Sequence, residues 1–216
     1  MIVGVTDTRD EFHDLLALYL PVLTTVGAIV VAAILFAVVR YRRRPGREPS
    51  GRSDHKLAES IWVLVVAAIV AGLVWATFTA EARVDRVSSD PGLRVDVTAF
   101  KWQWRFDYAG EDVPPIVGTD SKPAELVVPE GTTVRFTMTS RDVIHAFWVP
   151  ALRFKRDAFP RRETEFDLVF DRPGRLVGRC AEFCGFEHAE MTFDVRVLTE
   201  TEFRGWLAGR RRGAPA

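Results

Sequence analysis

The sequence predicts a two-helix transmembrane hairpin followed by an all-β Greek-key sandwich or barrel of roughly 100 residues. Three observations support this fold class: two long runs without a charged residue, a cluster of arginines between them, and a change to period-two alternation of apolar residues after them. The chain accordingly divides into an N-terminus (1–14), a hairpin (15–80), a connector (81–92), a β-domain (93–200) and a C-terminal tail (201–216).

Two apolar runs predict the membrane-spanning helices. No charged residue occurs from Leu15 to Val39 or from Ser60 to Ala80, and roughly 20 residues are enough for a helix to cross the hydrocarbon core of a bilayer. We expect helices at about 15–40 and 58–80, joined by a link at 41–57. Acidic residues precede the first run, which favours a retained helix over a cleaved signal peptide.

The cations that flank the helices predict the orientation of the hairpin. Seven of them lie in or beside the link: Arg40, Arg42, Arg43, Arg44, Arg47, Arg52 and Lys56. The N-terminal flank carries only Arg9. Because positive charge favours the cytoplasmic side, we expect a cell-membrane protein with a cytoplasmic link, whose termini and β-domain are extracytoplasmic.

Alternating apolar and polar residues predict the strands. Val95, Val97 and Ala99 alternate with polar residues, and the next segment repeats the pattern with Trp102, Trp104, Phe106 and Tyr108. Further strands are predicted at Glu125 to Val128, Thr133 to Thr139, His145 to Val149, Glu163 to Phe170, Arg175 to Gly178 and Thr192 to Leu198. Turn signals such as Arg172-Pro173-Gly174 separate them.

The charge of the chain gives no argument for a nucleic-acid partner. Its formal net charge is zero, so no global field favours a polyanion. The arginine run from Gly209 to Gly213 is most simply a solvated part of the tail.

A cluster of soft metal ligands lies in one short segment, C-A-E-F-C-G-F-E-H-A-E-M, from Cys180 to Met191. It contains both cysteines of the chain, His188 and Met191. Thiolate and thioether ligands favour cuprous copper, and imidazole accepts both copper oxidation states. His145 lies far upstream at the start of a predicted strand, where copper-binding β-sandwiches supply one histidine. These residues predict a copper site.

Two other readings of the cysteines remain open at this stage. In an oxidising compartment Cys180 and Cys184 can form a disulfide, which leaves His188 and Met191 unexplained. Structural zinc sites also use cysteine and histidine, although they rarely recruit methionine.

A second cysteine in the loop favours two metal ions rather than one, because a mononuclear blue copper site needs a single thiolate. Both sulfurs would bridge the two coppers, each of which would also take one histidine, with the Met191 sulfur and a backbone carbonyl as weak outer ligands. Four aromatic residues are expected to form a dry, rigid surround: Phe147, Trp148, Phe183 and Phe186.

The copper loop, the upstream D-V-I-H and the run W-Q-W-R-F-D-Y resemble subunit II of cytochrome c oxidase over nearly the whole chain. The resemblance implies a cupredoxin domain whose dinuclear copper A centre accepts electrons from cytochrome c and passes them to the haem of subunit I. There oxygen is reduced to water with proton pumping, so the isolated chain would not be catalytic. The resemblance also implies that His145 and Met191 share one copper, and that His188 and the backbone carbonyl of Glu182 serve the other.

Three more roles follow from the resemblance alone. The Glu182 side chain would help to bind magnesium at the interface with subunit I, Trp102 would receive electrons, and Glu59 would open a proton pathway. Their plainer readings are a loop carboxylate, a core tryptophan and a carboxylate that favours the positive end of a helix dipole. The implied partners are subunit I, other oxidase subunits, the lipid bilayer, and cytochrome c or a tethered cytochrome c domain.

One segment departs from the pattern of the family, whose docking surfaces are typically acidic. From Arg153 to Arg162 five cations accompany a single carboxylate. We therefore expect an acidic or permanently tethered donor, because complementary charge sets association rate and orientation.

Two rival functions belong to other classes. A membrane-anchored copper chaperone would have a thioredoxin-like fold with helices between its strands, which the period-two pattern disfavours. A copper-free structural subunit of a quinol oxidase would lack the ligands present here.

Overall fold

The computed structural model describes residues 7–42, 46, 54–119 and 121–213. The chain separates into two compact units. One is Phe12–Ala82, and the other is Arg83–Ala216 together with Met1–Glu11. Each unit has its own internal contacts and is described separately.

The helical unit is built from α1 (Thr8–Arg40) and α2 (Lys56–Val84). Both helices are long and apolar enough to cross a membrane. Their apolar side chains are largely exposed rather than packed in a protein core, as expected for helices that face lipid. The two predicted helices are therefore present, each with about one to two additional turns. Four of the link arginines, Arg43, Arg44, Arg47 and Arg52, lie outside the described residues.

A polar contact joins the two helices within this unit. The Tyr19 hydroxyl donates to the carbonyl of Leu73 at 3.0 Å and lies 2.5 Å from the hydroxyl of Thr77. A hydroxyl surrounded by apolar side chains needs such a partner, because an unpaired polar group in hydrocarbon costs several kcal/mol.

Within the described residues, the second unit has ten strands in two five-stranded sheets. They are β1 (Leu93–Phe100), β2 (Gln103–Tyr108), β3 (Ile116–Val117), β4 (Ala124–Pro129), β5 (Thr133–Ser140), β6 (His145–Val149), β7 (Phe154–Ala158), β8 (Thr164–Val169), β9 (Gly174–Cys180) and β10 (Thr192–Leu198). The sheet orders are β3-β2-β1-β5-β8 and β4-β10-β9-β6-β7. Pairs β1–β5 and β4–β10 are parallel, and the other pairs are antiparallel.

The predicted strands are present, and two further strands were not predicted. β3 has only two residues, too few to show a period. β7 has the sequence FKRDA and lies at the edge of its sheet. Charged residues are typical of edge strands because they prevent pairing with other molecules, and here they hid the alternation.

The core lies between the sheets and is rich in aromatic rings. Phe147 stacks on Phe193 with ring centroids 4.6 Å apart, and the Trp104 ring lies edge-on to Phe193 at 5.2 Å. A β-carbon at Gly178 would lie 1.9 Å from the Phe193 ring. Glycine at this position of β9 therefore lets the central ring lie directly on the strand that ends at Cys180.

The connector begins later than predicted, because α2 continues through Val84. Its remaining residues are attached to the β-domain. Asp167 accepts a hydrogen bond from the Ser88 backbone N–H at 2.6 Å, and Arg135 donates to the Ser88 carbonyl at 2.5 Å. Arg135 and Asp167 also form a buried ion pair with each other. Breaking such a pair from one side is strongly destabilising because the other charge stays buried.

The segment predicted as a C-terminal tail, 201–216, contains a helix that packs on the β-domain. Residues Glu200–Arg211 form helix α3, which buries Phe203 and Leu207 against the β-domain. Even Arg210, from the expected solvated run, is buried, and its guanidinium donates to the Pro114 carbonyl at 3.0 Å.

A sequence signal for α3 was present. Thr199 and Glu202 have the spacing of a capping box, and both reciprocal bonds form: Glu202 N–H to the Thr199 hydroxyl at 3.4 Å, and Thr199 N–H to the Glu202 carboxylate at 3.0 Å. The β-domain therefore extends to Arg211.

We predict that Phe203→Ala lowers the free energy of unfolding of a fragment comprising residues 83–213 by about 3–5 kcal/mol, because it removes a buried ring from the junction of α3 with the sheets. Arg204→Ala, on the exposed face of the same helix, should cost about 0.3–0.5 kcal/mol through loss of its ion pair with Glu200. Urea unfolding followed by circular dichroism measures both values. Equal effects of the two substitutions would show that α3 is not part of the cooperative unit.

Candidate metal centre

Three structural elements bring the five predicted ligands together. His145 is the first residue of β6, Cys180 is the last residue of β9, and Cys184, His188 and Met191 belong to the loop between β9 and β10. β6 and β9 are paired, with Phe147 opposite Cys180.

Backbone hydrogen bonds close the loop upon itself. The N–H of Cys180 donates to the carbonyl of Met191 at 2.9 Å, which joins the two ends of the loop. The N–H of His188 donates to the Gly185 carbonyl at 3.2 Å. Most of the ligand positions are thus held by the backbone rather than by the metal alone.

The two thiols are not joined to each other. Cys180 Sγ and Cys184 Sγ lie 3.8 Å apart, well beyond the roughly 2.05 Å of a disulfide bond. Both cysteines are free and buried. The disulfide interpretation therefore does not describe this structure.

Each sulfur has its own imidazole. His145 Nδ1 lies 3.8 Å from Cys180 Sγ, and His188 Nδ1 lies 3.5 Å from Cys184 Sγ. The Met191 sulfur is 3.8 Å from Cys184 Sγ. The Glu182 carbonyl oxygen lies 3.3 Å from Cys180 Sγ. The donor set consists of two thiolates, two imidazoles, a thioether and a carbonyl around one small space.

Asp142 orients the His145 ring. His145 is fully buried, and its Nε2 lies 2.8 Å from Asp142 Oδ1, so a proton on Nε2 leaves Nδ1 free to face the cysteines. The Asp142 carboxylate also accepts from the N–H groups of Lys101 at 2.7 Å and Val143 at 2.6 Å. A carboxylate behind a metal-ligating histidine fixes its tautomer and raises its basicity.

These contacts shift the pKa values of both partners. Burial lowers the pKa of the His145 imidazole, but the hydrogen bonds to Cys180 and Asp142 raise it more, so that it lies above its ordinary value. Burial raises the pKa of the Asp142 carboxyl, but hydrogen bonds from His145 and two backbone N–H groups hold it below its usual range.

The two thiols have opposite pKa shifts because they share one small space. Burial raises the pKa of Cys180, but the hydrogen bond to His145 and backbone hydrogen bonds outweigh it and lower this pKa to about 6. Burial and the charge of the Cys180 thiolate raise the pKa of Cys184 to about 12. The Cys180 thiol therefore ionises more readily than the Cys184 thiol.

The dry surround differs in part from the prediction. Phe147 is buried, as expected, and Trp104 lies edge-on to His145 with ring centroids 6.4 Å apart. In contrast, Phe183 is 80% exposed and Phe186 is 94% exposed. Trp148 is 37% exposed on the outer face of its sheet. The sequence alone does not show which residues of a loop face inward. In the folded loop the cysteines face the interior, and Phe183 and Phe186 therefore face solvent.

Trp104 and Phe193 are the buried rings that sequence reasoning missed as neighbours of the site. Both lie in the core with Phe147, and their period-two alternation marked them only as core residues. Their position beside the ligands depends on which strands are paired.

Trp102 lies in the turn between β1 and β2, one residue before β2 begins. Its indole N–H donates to the Cys184 carbonyl at 3.3 Å, which places it against the metal loop. Glu182 directs its carboxylate toward Lys155, 3.7 Å from the ammonium nitrogen. Glu59 lies in the first turn of α2, where it accepts a hydrogen bond from the His55 N–H at 3.0 Å.

The donor set fits copper. Two thiolates, a thioether and two imidazoles suit a soft ion that changes between one and two positive charges. His145, Cys180 and Cys184 offer ligand atoms within 4.8 Å of one another. The fold is a cupredoxin-like domain that follows two membrane-spanning helices in the chain. Together with the candidate site, it defines the class of membrane-anchored proteins with a soft-metal centre.

Comparisons with known proteins support this class. Residues 116–198 match the family described as cytochrome c oxidase subunit II, periplasmic domain. The chain is 31% identical to cytochrome c oxidase subunit 2 of Alkalihalophilus pseudofirmus, over 91% of this chain and 58% of that protein. It is 28% identical to the probable cytochrome c oxidase subunit 2 of Rickettsia bellii, over 97% of this chain and 82% of that protein.

A solved structure shows the same fold. It is the crystal structure of the periplasmic domain of subunit II of the Bradyrhizobium japonicum cytochrome oxidase, and its sequence is 29% identical to this chain. The two structures match with a TM-score of 0.55, over 60% of this chain and 100% of the solved domain. Residues 116–198 thus match the periplasmic-domain family of cytochrome c oxidase subunit II, and relatives named cytochrome c oxidase subunit 2 match over most of the chain. The predicted fold and the resemblance to this family are thereby confirmed, and the protein is membrane-anchored with an extracytoplasmic domain.

We predict that Asp142→Asn weakens copper binding roughly 10–100-fold, because the neutral amide no longer holds His145 in its ligating tautomer. Asp112→Asn, at an exposed position away from the site, makes the same chemical change and should leave affinity unaltered. Competition with a chelator of known affinity measures both variants. Equal affinities for the wild type and Asp142→Asn would show that Asp142 does not support the site.

We predict that metal loading at pH 9 releases about one proton per chain. The Cys184 thiol, with its pKa of about 12, is still protonated at this pH, whereas Cys180, with a pKa of about 6, has already lost its proton. Since the metal needs both thiolates, its apparent affinity should rise with pH and fall as the solution becomes acidic. A pH indicator in weak buffer records the release. Loading without proton release would contradict the opposed thiol shifts.

Proposed function

We propose that this chain is the electron-accepting subunit of a respiratory cytochrome c oxidase, with a dinuclear copper A centre held by His145, Cys180, Cys184, His188 and Met191. The observation that carries this proposal is the pair of unbonded thiols 3.8 Å apart, each with an imidazole of its own. A mononuclear site would leave one thiolate and one histidine without a role.

The ligand assignment is the one that the resemblance to subunit II of cytochrome c oxidase implies. His145 and Met191 would serve one copper, and His188 and the Glu182 carbonyl would serve the other, with both sulfurs bridging. When bound, the copper pair supplies a one-electron acceptor whose charge is shared between two metals. Because His145 and Cys180 lie on paired strands and cannot move far, bond lengths at the centre would change little on reduction, which would favour fast electron transfer.

Burial gives the centre a dry side and an open side. His145, Cys180, Cys184 and Met191 are buried, whereas His188 is partly exposed. Trp102 lies at the same loop through its hydrogen bond to Cys184. Electrons would therefore enter from cytochrome c through Trp102 and leave toward the haem of subunit I, where oxygen is reduced and protons are pumped. Within this complex the chain has an oxidoreductase and translocase role without catalysing oxygen reduction itself.

Two further roles belong to this proposal. The Glu182 carboxylate is partly exposed and makes only a loose pair with Lys155, which a magnesium ion at the interface with subunit I can replace. Glu59 lies at the start of α2, on the side that we infer to be cytoplasmic, where a carboxylate can feed a proton pathway in subunit I. Its bond to His55 also fits a purely structural capping role.

In the folded protein the basic segment, which carries the argument for an acidic electron donor, is partly neutralised by ion pairs. Within the basic segment Arg153 to Arg162, Lys155 pairs with Glu182, and Arg156 pairs with Asp85. These carboxylates come from elsewhere in the chain. The net positive charge of this surface is therefore smaller than the sequence of the segment alone suggests. Arg161 and Arg162 remain exposed. An acidic or tethered cytochrome c domain as donor rests on this smaller patch.

The rival functions have less support. A thioredoxin-like chaperone needs helices between its strands, and the described residues from β1 to β10 contain only the three-residue 3-10 helix Pro150–Leu152. A copper-free quinol oxidase subunit has no use for a full set of soft ligands.

Metal counting and electron spin resonance of residues 83–213, loaded with copper, test the proposal. We predict two coppers per chain and a spectrum in which one unpaired electron is shared equally by two nuclei. Cys184→Ser should abolish that pattern, because a hydroxyl does not bridge as a thiolate does. In full-length protein Cys184→Ser should likewise abolish the pattern, and the matched control His13→Ala should preserve it. One zinc or one copper per chain in the wild-type fragment would refute a dinuclear centre.

A further inference from the structure

The turn between β1 and β2 contacts the metal centre in two places. On one side the Lys101 N–H donates to Asp142, whose other oxygen contacts His145. On the other side the Trp102 indole N–H donates to the Cys184 carbonyl at 3.3 Å. The turn is thus attached to both ligand-bearing segments.

Gly185 makes the second contact possible. A β-carbon at this position would lie 3.3 Å from both Cζ2 and Nε1 of Trp102, closer than ordinary packing allows. The indole ring therefore lies directly on the backbone that follows Cys184. The backbone of Gly185 also has a φ of +124°, which side chains other than glycine rarely adopt.

We propose that Gly185 is a positioning residue for electron input, because its missing side chain lets Trp102 reach the carbonyl of Cys184. This inference rests on the proposed function. The hydrogen bond ends on the carbonyl oxygen of Cys184. Three covalent bonds then connect the carbonyl carbon, through Cα and Cβ, to the sulfur of the same residue. One electron leaves the reduced donor haem and one arrives at the copper pair, and Trp102 keeps its N–H proton throughout.

The geometry leaves little tolerance. Nitrogen–oxygen hydrogen bonds in proteins are usually 2.7–3.2 Å long, and about 3.6 Å is no longer a bond. The Trp102 bond is already at 3.3 Å, so a methyl group that pushes the ring away by a few tenths of an ångström breaks it. Because Asp142 holds Lys101, the turn cannot simply move with the ring.

The test uses the intact oxidase complex carrying one of four subunit II variants: Trp102→Phe, Gly185→Ala, the double variant and Gly110→Ala. Gly110 is the matched control, because it also has a positive φ, +82°, but no atom lies within 4 Å of its added β-carbon. Rapid mixing with reduced cytochrome c measures the rate of the first electron transfer. Electron spin resonance of the same samples reports the copper pair.

We expect Gly185→Ala to slow electron input by about tenfold or more, equivalent to at least about 1.4 kcal/mol in the barrier, with an unchanged copper spectrum. Electron input in Trp102→Phe should be at least as slow as in Gly185→Ala. The double variant should be no slower than Trp102→Phe, because both substitutions remove the same hydrogen bond, from Trp102 to the Cys184 carbonyl. Gly110→Ala should match the wild type.

Three results would overturn the inference while leaving the copper A function intact: no effect of Trp102→Phe, multiplied effects in the double variant, or loss of the two-copper spectrum in Gly185→Ala. The last would mean that Gly185 shapes the loop rather than the contact. A wild-type complex without a two-copper spectrum would instead refute the proposed function itself.

Discussion

The pairing of β6 with β9 is the constraint on which the metal centre depends. It places Phe147 opposite Cys180, and thus brings the strand that begins at His145 beside the strand that ends at Cys180. The backbone bond from Cys180 to Met191 then returns the loop to the same point. A slip of one residue would turn the sulfur of Cys180 to the opposite face of the sheet. The buried rings of Phe147 and Phe193 oppose such a slip, because each fits one register only.

The buried His145 and Cys180 side chains both have polar partners, which is the condition for keeping ionisable groups out of water. Asp142 is paired with His145, and the Cys180 thiolate faces that imidazole. The second thiol keeps its proton until a metal replaces it, as the high pKa of Cys184 indicates. Hydrogen bonds within the chain hold His145 and the ends of the loop in place, which lowers the entropic cost of binding a metal there.

The same turn that supports His145 through Asp142 also carries Trp102 to the metal loop. The proposed ligand geometry and the proposed electron input thus both involve one short segment between β1 and β2. The exposed rings of Phe183 and Phe186 lie on the outer side of the loop, where they cannot help to exclude water from the metals. The buried rings of Trp104, Phe147 and Phe193 exclude water from the site instead.

The amino-acid sequence by itself determined the two membrane helices, most strands and the choice of candidate ligands, because these depend on local period and on residue type. Helix α3 was not predicted, although the sequence carries its capping signal at Thr199. Only the tertiary structure decided that the thiols lie 3.8 Å apart, that Asp142 lies behind His145, and that Asp85 and Glu182 offset the basic segment. These facts are distances between residues remote in the chain or on a folded loop. They follow from strand pairing and loop closure, which no local pattern of residues specifies.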